Sequence, residues 1–341
     1  MRRSFHPRLI NDPFSDPGLF VSLLFQGRAL LFDLGELQGI STRDVLKVTQ
    51  VFVSHTHIDH FIGFDHLLRI RLGREKAVHV FGPPGFFKHV EGRMAGYVWN
   101  LVKDSPNDFL LKTTEVHEQR AFTRTYACRD GFKARGDTEE ALFSGILLEE
   151  PSFRVEATFL DHRIPCLGFS LMESFSVNIV TEDLKEMGLP VGPWLTRFKK
   201  TLHEGRDLGS VFRVTWDDGG RVVRERSFVL GELAERIARI HPGQKIAYVT
   251  DIIGSTENRR RVIRLAEGAD HLFIEAGFLE CDRDVARDKH HLTAREAGEW
   301  ARMAGVKDFT LFHFSPRYRG REEEFRQEAM AAFRQARQTK D

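Results

Sequence analysis

The chain has almost no surplus of charge: among 341 residues, 50 Lys and Arg face 49 Asp and Glu, a formal net charge of +1. No overall basic field advertises nucleic acid, so any such binding must come from a local patch. Cysteine is scarce as well. Cys128, Cys166 and Cys281 are odd in number and far apart, which argues against a disulfide framework or a CxxC metal site and leaves them as small apolar residues. Long apolar runs are missing. Gly18 to Phe25 (GLFVSLLF), the longest near the start, is too short to span a bilayer, and no signal-peptide pattern precedes it. No membrane and a cytoplasmic location are therefore expected. Repeats, low-complexity tracts and a Pro/Gly-rich linker are also absent, so 1–341 reads as one domain. Disorder and fibrous architectures are excluded by 41% hydrophobic and 29% charged content. What is abundant is phenylalanine, 29 against 4 tyrosines, together with 15 histidines. The phenylalanines read as core, and the placing of the histidines carries the information.

Leu19 to Asp33 holds two apolar runs around Gln26-Gly27-Arg28 and predicts a β-hairpin. Val48 to Ser54 is a β-branched run, followed by a His/Asp cluster and then by Phe61, Phe64, Leu67, Leu68 and Leu72 at helical spacing. Ala77 to Gly85 predicts a strand ending in a tight turn, and Ile146 to Leu160 predicts strands that run to a polar tip at Asp161-His162. Ile246 to Thr250 ends at Asp251, with a helix expected from the N-cap Ser255 through Leu265. His271 to Glu275 predicts a strand, Thr293 to Met303 a helix, and Phe309 to Phe312 a strand ending at His313. Strands whose tips carry His or Asp, alternating with helices, describe a layered α/β domain with its site along one edge. Two stretches interrupt the pattern: 117–145 is polar and reads as an insertion, and 182–219 holds a Gly/Pro turn and a basic run.

The central motif is His55-Thr56-His57-Ile58-Asp59-His60, directly after an apolar strand. The chance of HxHxDH arising somewhere in a chain of this composition is on the order of one in five hundred. Decoration of a strand end by unrelated polar residues is thus a poor explanation. Imidazoles and carboxylates are suitable zinc ligands, and alternating positions let His55 and His57 project one way while Asp59 and His60 reach a neighbouring point. Such a turn can hold two metals. Further ligands are expected at the strand tips His162, Asp251 and His313.

In these motifs the chain resembles the metallo-β-lactamase superfamily and, within it, ribonuclease Z. Ser54 to Leu68 resembles the signature histidine motif, Val80 to Gly92 the strand-turn-helix after it, and Asp161 to Leu171 the third-histidine segment. Asp183 to Lys200 is similar to the family's Gly-Pro segment and His291 to Tyr318 to its terminal motifs. HxHxDH alone specifies the superfamily; the Gly-Pro segment with the H-x-T and H-x-S-x-R-Y motifs points to ribonuclease Z. The resemblance implies a four-layer αββα sandwich with a protruding arm. It implies two zinc ions per chain, one on His55, His57 and His162, the other on Asp59, His60 and His313, with Asp251 bridging. His57 stands where redox members of the superfamily carry Glu, which favours hydrolysis. His290 lacks the motif position of His291 and is expected as a surface histidine. The chain departs from the family in lacking the Gly-rich first-strand motif and in carrying Thr250-Asp251-Ile252 in place of Gly-Asp-Thr.

The implied activity is a zinc-dependent phosphodiesterase that removes 3′ trailers from precursor tRNA. His291 is the expected general acid, and Asp59 is expected to orient or deprotonate the attacking water. Gly192, Pro193, Arg197, Lys199 and Lys200 are expected to form an arm that meets tRNA phosphates, against the plainer reading of a solvated surface loop. Arg259-Arg260-Arg261 reads as an exposed helix face. A homodimer is compatible with the resemblance. Two other classes stay open: a metallo-β-lactamase-fold hydrolase of another ester or phosphodiester, and an RNA-binding protein with a dead site.

Overall fold

The computed structural model describes residues 4–24, 26–102, 107–217 and 223–335. Strand-forming runs build two large sheets. In the first, eight strands lie side by side in chain order: Phe5–Leu9, Leu19–Leu23, Arg28–Phe32, Val48–Phe52, Val78–Gly82, Leu110–Val116, Arg120–Ala127 and Ala134–Leu142. The third to sixth run parallel, and antiparallel neighbours flank them on both sides. The second sheet orders Phe309–Phe312, His271–Glu275, Lys245–Val249, Pro165–Glu173, Phe153–Asp161 and Ile146–Glu150. Its first three strands are parallel.

Period-two alternation sorts the side chains into three apolar layers. Leu30, Phe32, Phe52 and Phe81 of the first sheet meet Phe169, Ile246, Tyr248, Phe273 and Phe312 of the second. Their neighbours Ala29, Leu31, Val51 and Val80 face outward onto Phe64, Leu67, Leu68, Phe86 and Val90 of the helices Phe64–Arg71 and Phe86–Ala95. Ala247, Val249, Leu272 and Ile274 likewise face the helices Thr256–Ala266, Ala294–Met303 and Glu322–Arg334. Three apolar layers between four structural ones make an αββα sandwich. The abundance of phenylalanine is explained in the middle layer, where Phe32, Phe52 and Phe81 are partners across adjacent parallel strands and stack at 5.1 and 5.0 Å. Each fully buried ring stabilises the sandwich by about 1.5–3 kcal/mol.

Helix starts follow local chemistry. Ser255 Oγ accepts from the Asn258 N–H, and Thr293 with Glu296 forms a reciprocal capping box. Gly298 lets the last helix approach: a Cβ there would lie 2.1 Å from the Ala329 carbonyl oxygen.

The polar stretch 117–145 supplies the last two strands of the first sheet, and Ala134–Leu142 is exposed along its whole length, as its composition demands. The expected arm at 182–219 lies within a wider module. Strands Phe175–Ile179 and Ala238–Pro242 pair as a stalk. Beyond it stand the helices Thr181–Glu186, Trp194–His203 and Leu230–Ile237 and the hairpin Val211–Asp217 with Val223–Val229. Trp194, Phe198, Phe212, Val214, Leu230 and Leu233 form its separate core. Asp218 and Gly219, the end of the expected arm, lie outside the described residues. Among the described residues no helix is long and apolar enough to cross a membrane.

Candidate metal centre

Six strands of the two sheets deliver polar residues at their C-terminal ends. Arg28–Phe32 is followed by Asp33, Val48–Phe52 by Ser54 and His55, Phe153–Asp161 by His162, Lys245–Val249 by Asp251 and Phe309–Phe312 by His313, while His271–Glu275 ends on Glu275 itself. Left-handed backbone marks the same edge. Of six described non-glycine residues with positive φ, five are here: Asp33, Arg163, Asp251, His290 and His313. Such conformations cost on the order of 1–3 kcal/mol each, so the surrounding structure must hold them.

His55, His57, His162 and Asp251 bring donor atoms within 4.8 Å of one another, and so do Asp59, His60, Asp251 and His313. Asp251 belongs to both groups. Its Oδ2 lies 3.6 Å from His55 Nε2, 3.3 Å from His60 Nε2 and 3.6 Å from His162 Nε2, and its Oδ1 lies 2.9 Å from His313 Nε2. Asp59 Oδ2 stands 3.4 Å from His60 Nε2 and 3.6 Å from His313 Nε2. Donors 2.0–2.1 Å from a tetrahedral ion are about 3.3 Å apart, so most of these spacings match a zinc shell better than hydrogen bonds. His60 Nε2 is buried without a hydrogen-bond partner, an orphan that a cation would satisfy. The donor set therefore fits two divalent ions.

The sequence motifs leave out the side chains that hold this set. Buried Asp33 accepts from the Ser54 N–H at 2.6 Å, Ser54 Oγ at 2.9 Å and Tyr248 Oη at 2.9 Å, and stands 3.0 Å from His60 Nδ1. That last contact fixes His60 with Nε2 toward the centre. His290 contributes through its backbone, because His162 Nδ1 lies 3.0 Å from its carbonyl oxygen and is oriented by it. A left-handed His290, φ 65°, turns that carbonyl inward. Asn258 clamps Asp161 beside His162, with Nδ2 donating to the Asp161 carbonyl at 2.8 Å and Oδ1 accepting from its N–H at 2.9 Å.

Asp251, Glu275 and His291 also cluster within metal-binding reach. Both Glu275 oxygens are already engaged, Oε1 by the Ile252 N–H at 2.7 Å and Oε2 by His291 Nδ1 at 2.9 Å. This is an orienting pair rather than a third ion site. His291 packs within 5.3 Å of the His162 ring and 5.6 Å of the His313 ring, and Gly277 makes room for it, since a Cβ there would lie 3.0 Å from His291 Cβ.

Burial works against charge on His291, but the Glu275 carboxylate outweighs it and pushes the pKa up to about 9. Burial disfavours the Asp59 carboxylate, yet His60 and His313 hold its pKa down to about 2. Asp251 is likewise held well below the usual carboxylate range against its own burial, by His313 and His60. Burial pushes His55 well down. The two carboxylates are thus ionised and His55 neutral, as metal ligands need, while burial of His60 is outweighed by Asp251 and Asp33, which push its pKa well up and hold there a positive charge that a bound cation would replace.

The seven expected ligands and His291 converge. The arm residues do not join them: Gly192 and Pro193 form the turn that opens the helix Trp194–His203. Arg197 Nη2 donates to Thr215 Oγ1 at 2.7 Å and Lys200 Nζ lies 3.6 Å from Glu204, while the charge of half-buried Lys199 acts on Glu173 and His203. At 100° per residue, Arg197 and Lys200 share a helix face that Lys199 leaves.

The chain matches no family model. It is 30% identical over 296 residues to a ribonuclease Z of Deinococcus radiodurans, covering 85% of this chain and 83% of that one. It is 33% identical over 321 residues to a ribonuclease Z of Thermobifida fusca, covering 91% and 83%. Among solved structures it resembles the metallo-beta-lactamase fold protein YhfI from Bacillus subtilis, with a TM-score of 0.52 and 15% identity over 96% of this chain and 94% of that one. With relatives this similar over this much of both chains, and with the αββα sandwich in place, the chain belongs to the ribonuclease Z family and has the metallo-β-lactamase fold.

Proposed function

We propose that this protein is a dinuclear zinc endoribonuclease that cuts 3′ trailers from precursor tRNA in the cytoplasm. The observation that carries the reading is Asp251 standing between two groups of His and Asp donors, with the His291–Glu275 pair beside them. His55, His57 and His162 are assigned to one ion, Asp59, His60 and His313 to the other, and Asp251 to both. Zinc in this cradle supplies Lewis acidity toward a phosphodiester and a water that ionises near neutral pH.

The protein's own groups divide the proton transfers. Asp59, ionised down to about pH 2, is placed to accept a proton from the attacking water. His291 carries its proton across neutral pH, holds Nδ1 toward Glu275 and leaves Nε2 to protonate the departing ribose 3′ oxygen. Cleavage with these roles leaves a 3′-hydroxyl on the tRNA and a 5′-phosphate on the trailer. The outward module is assigned the grip on tRNA. Homodimerisation belongs to the same proposal and rests on the resemblance.

The test is a 3′-extended precursor tRNA assayed beside a nitrophenyl phosphodiester, with metal content measured on the same preparation. The expected result is about two zinc ions per chain and a single endonucleolytic cut giving those two ends. Turnover of the nitrophenyl ester alone would assign the centre to another phosphodiester, and turnover of neither would make the protein an inert binder.

A further inference from the structure

A groove of about 610 Å³ lies on the flank of the second sheet, between the strand Phe153–Asp161 and the helix Thr256–Ala266. Arg154 lines it from the strand, and Arg260, Arg261 and Arg264 line it from the helix. Two carboxylates answer these four guanidinium groups. Glu257 pairs with Arg260 at 2.9 Å and Arg261 at 2.6 Å, and Glu156 pairs with Arg154 at 2.8 Å. Exposed Arg264 has no acidic partner among the described residues. A chain with a formal net charge of +1 thus concentrates an excess of two positive charges in one groove.

Its place in the fold connects it to the metal centre. Along the strand the groove runs from Arg154 to Thr158, about 13 Å, and Thr158 stands about 10 Å short of the Asp161 tip. Along the helix, Asn258 is tied to Asp161, and Arg264 follows six residues later, about 9 Å along the axis. Both walls therefore lead away from the same ligand-bearing tip. Arginine is the side chain suited to such a path, because its planar fork matches phosphate oxygens.

We infer that this groove binds the phosphates of the single-stranded 3′ trailer as it leaves the metal centre. The inference rests on the endonuclease reading above, in which the outward module holds the tRNA body and leaves the trailer to run over another face. Arg264, without an acidic partner, meets phosphate directly, and Arg154, held by the single carboxylate of Glu156 at 2.8 Å, shares its fork with it, while Arg260 and Arg261 divide Glu257 between them and Arg261 also holds the Phe159 carbonyl at 2.8 Å.

The test uses the zinc-loaded protein and its Arg154→Gln/Arg264→Gln variant, with Arg264→Gln alone as a second variant that loses no partner. Binding of a labelled hexauridylate is followed by fluorescence anisotropy across salt concentrations. Each phosphate contact on a single strand contributes about 0.7 to the slope of log K against log salt, so the double variant should be shallower by about 1.4 and the single variant by about 0.7. With precursor tRNAs, KM should fall as the trailer lengthens for the wild type and stay level for the double variant, at unchanged kcat. Nitrophenyl phosphodiester turnover and Tm should match the wild type. Equal slopes and equal trailer-length dependence in wild type and double variant would overturn the inference, as would failure of the wild type to bind hexauridylate. Because binding is read without cleavage, loss of slope in a protein that leaves precursor tRNA uncut would keep the groove and overturn the endonuclease reading instead.

Discussion

Asp251 concentrates more of the site's geometry than any other side chain, because one carboxylate faces four imidazoles drawn from both donor groups. Asp251→Ala should therefore empty both ion positions, with zinc falling from about two per chain toward none by elemental analysis; unchanged content would remove Asp251 from the bridge. His291 makes the opposite forecast. Its Nδ1 partner is Glu275 and it belongs to neither donor group, so His291→Ala should keep the metals and slow precursor cleavage by about 10²–10⁴-fold. A nitrophenyl substrate, whose leaving group needs no proton, should suffer much less; equal losses on both substrates would point to a structural role. All seven donors and His291 are legible in the sequence because each sits in a motif or at an apolar strand's tip. Asp33 and Glu275 occupy the same kind of tip but belong to none of the motifs by which the other tips are picked out. Applying the strand-tip rule to every acid that ends an apolar run finds both. The His290 carbonyl is out of reach, because a backbone oxygen leaves no trace in residue identity.

The strand-helix units of both sheets are readable from hydrophobic spacing, and the helix capped by Ser255 and the strand His271–Glu275 lie where the pattern places them. The arm is wider than its Gly/Pro turn and basic run suggest. Its stalk strands, FSVNI and ARIHP, are short and only partly apolar, and their partnership is visible only once Phe175 stands opposite Pro242 and Ile179 opposite Ala238. That register suggests how to remove the module cleanly. Replacing only 188–200 would strip Trp194 and Phe198 from a core that Phe212, Val214 and Leu233 share. Joining Ile179 to Ala238 through Asn-Gly instead closes a two-residue hairpin and takes the whole module away. The shortened protein should fold, bind zinc and turn over a nitrophenyl phosphodiester near the wild-type rate, while precursor-tRNA cleavage is lost through a rise in KM. Near-normal processing by the shortened protein would remove the module from tRNA recognition. The loss should not be reproduced by neutralising Lys199 alone, whose charge acts on Glu173 and His203 at the base rather than along the Arg197 face.

Because His55, His57, Asp59 and His60 follow a strand of the first sheet and His162, Asp251 and His313 follow strands of the second, metal bound as proposed would cross-link the two halves of the sandwich. An ion that binds only the folded chain adds RT ln(1 + [L]/Kd), about 2.7 kcal/mol at a free concentration one hundred times Kd, so Tm should climb with free zinc and fall in chelator. The stripped protein then exposes a second dependence, on pH, that belongs to the His291–Glu275 pair. The folded pKa of His291 is about 9 against an ordinary 6.5. A raised pKa means that the folded state holds the proton more tightly, so this contribution is complete below pH 6.5 and disappears as pH rises through 9. Thermal unfolding in chelator should therefore show stability declining between about pH 6.5 and 9 from this source. Glu275→Gln removes the carboxylate that outweighs burial, so the variant should lose stability at pH 6 and converge on the parent above pH 9. The comparison between the two proteins cancels the groups that do not feel Glu275, leaving its pair with His291 and its smaller pull on His162. A gap between parent and variant that stays constant from pH 6 to 9.5 would mean that Glu275 stabilises the fold through its bond to the Ile252 N–H and not through charge on His291.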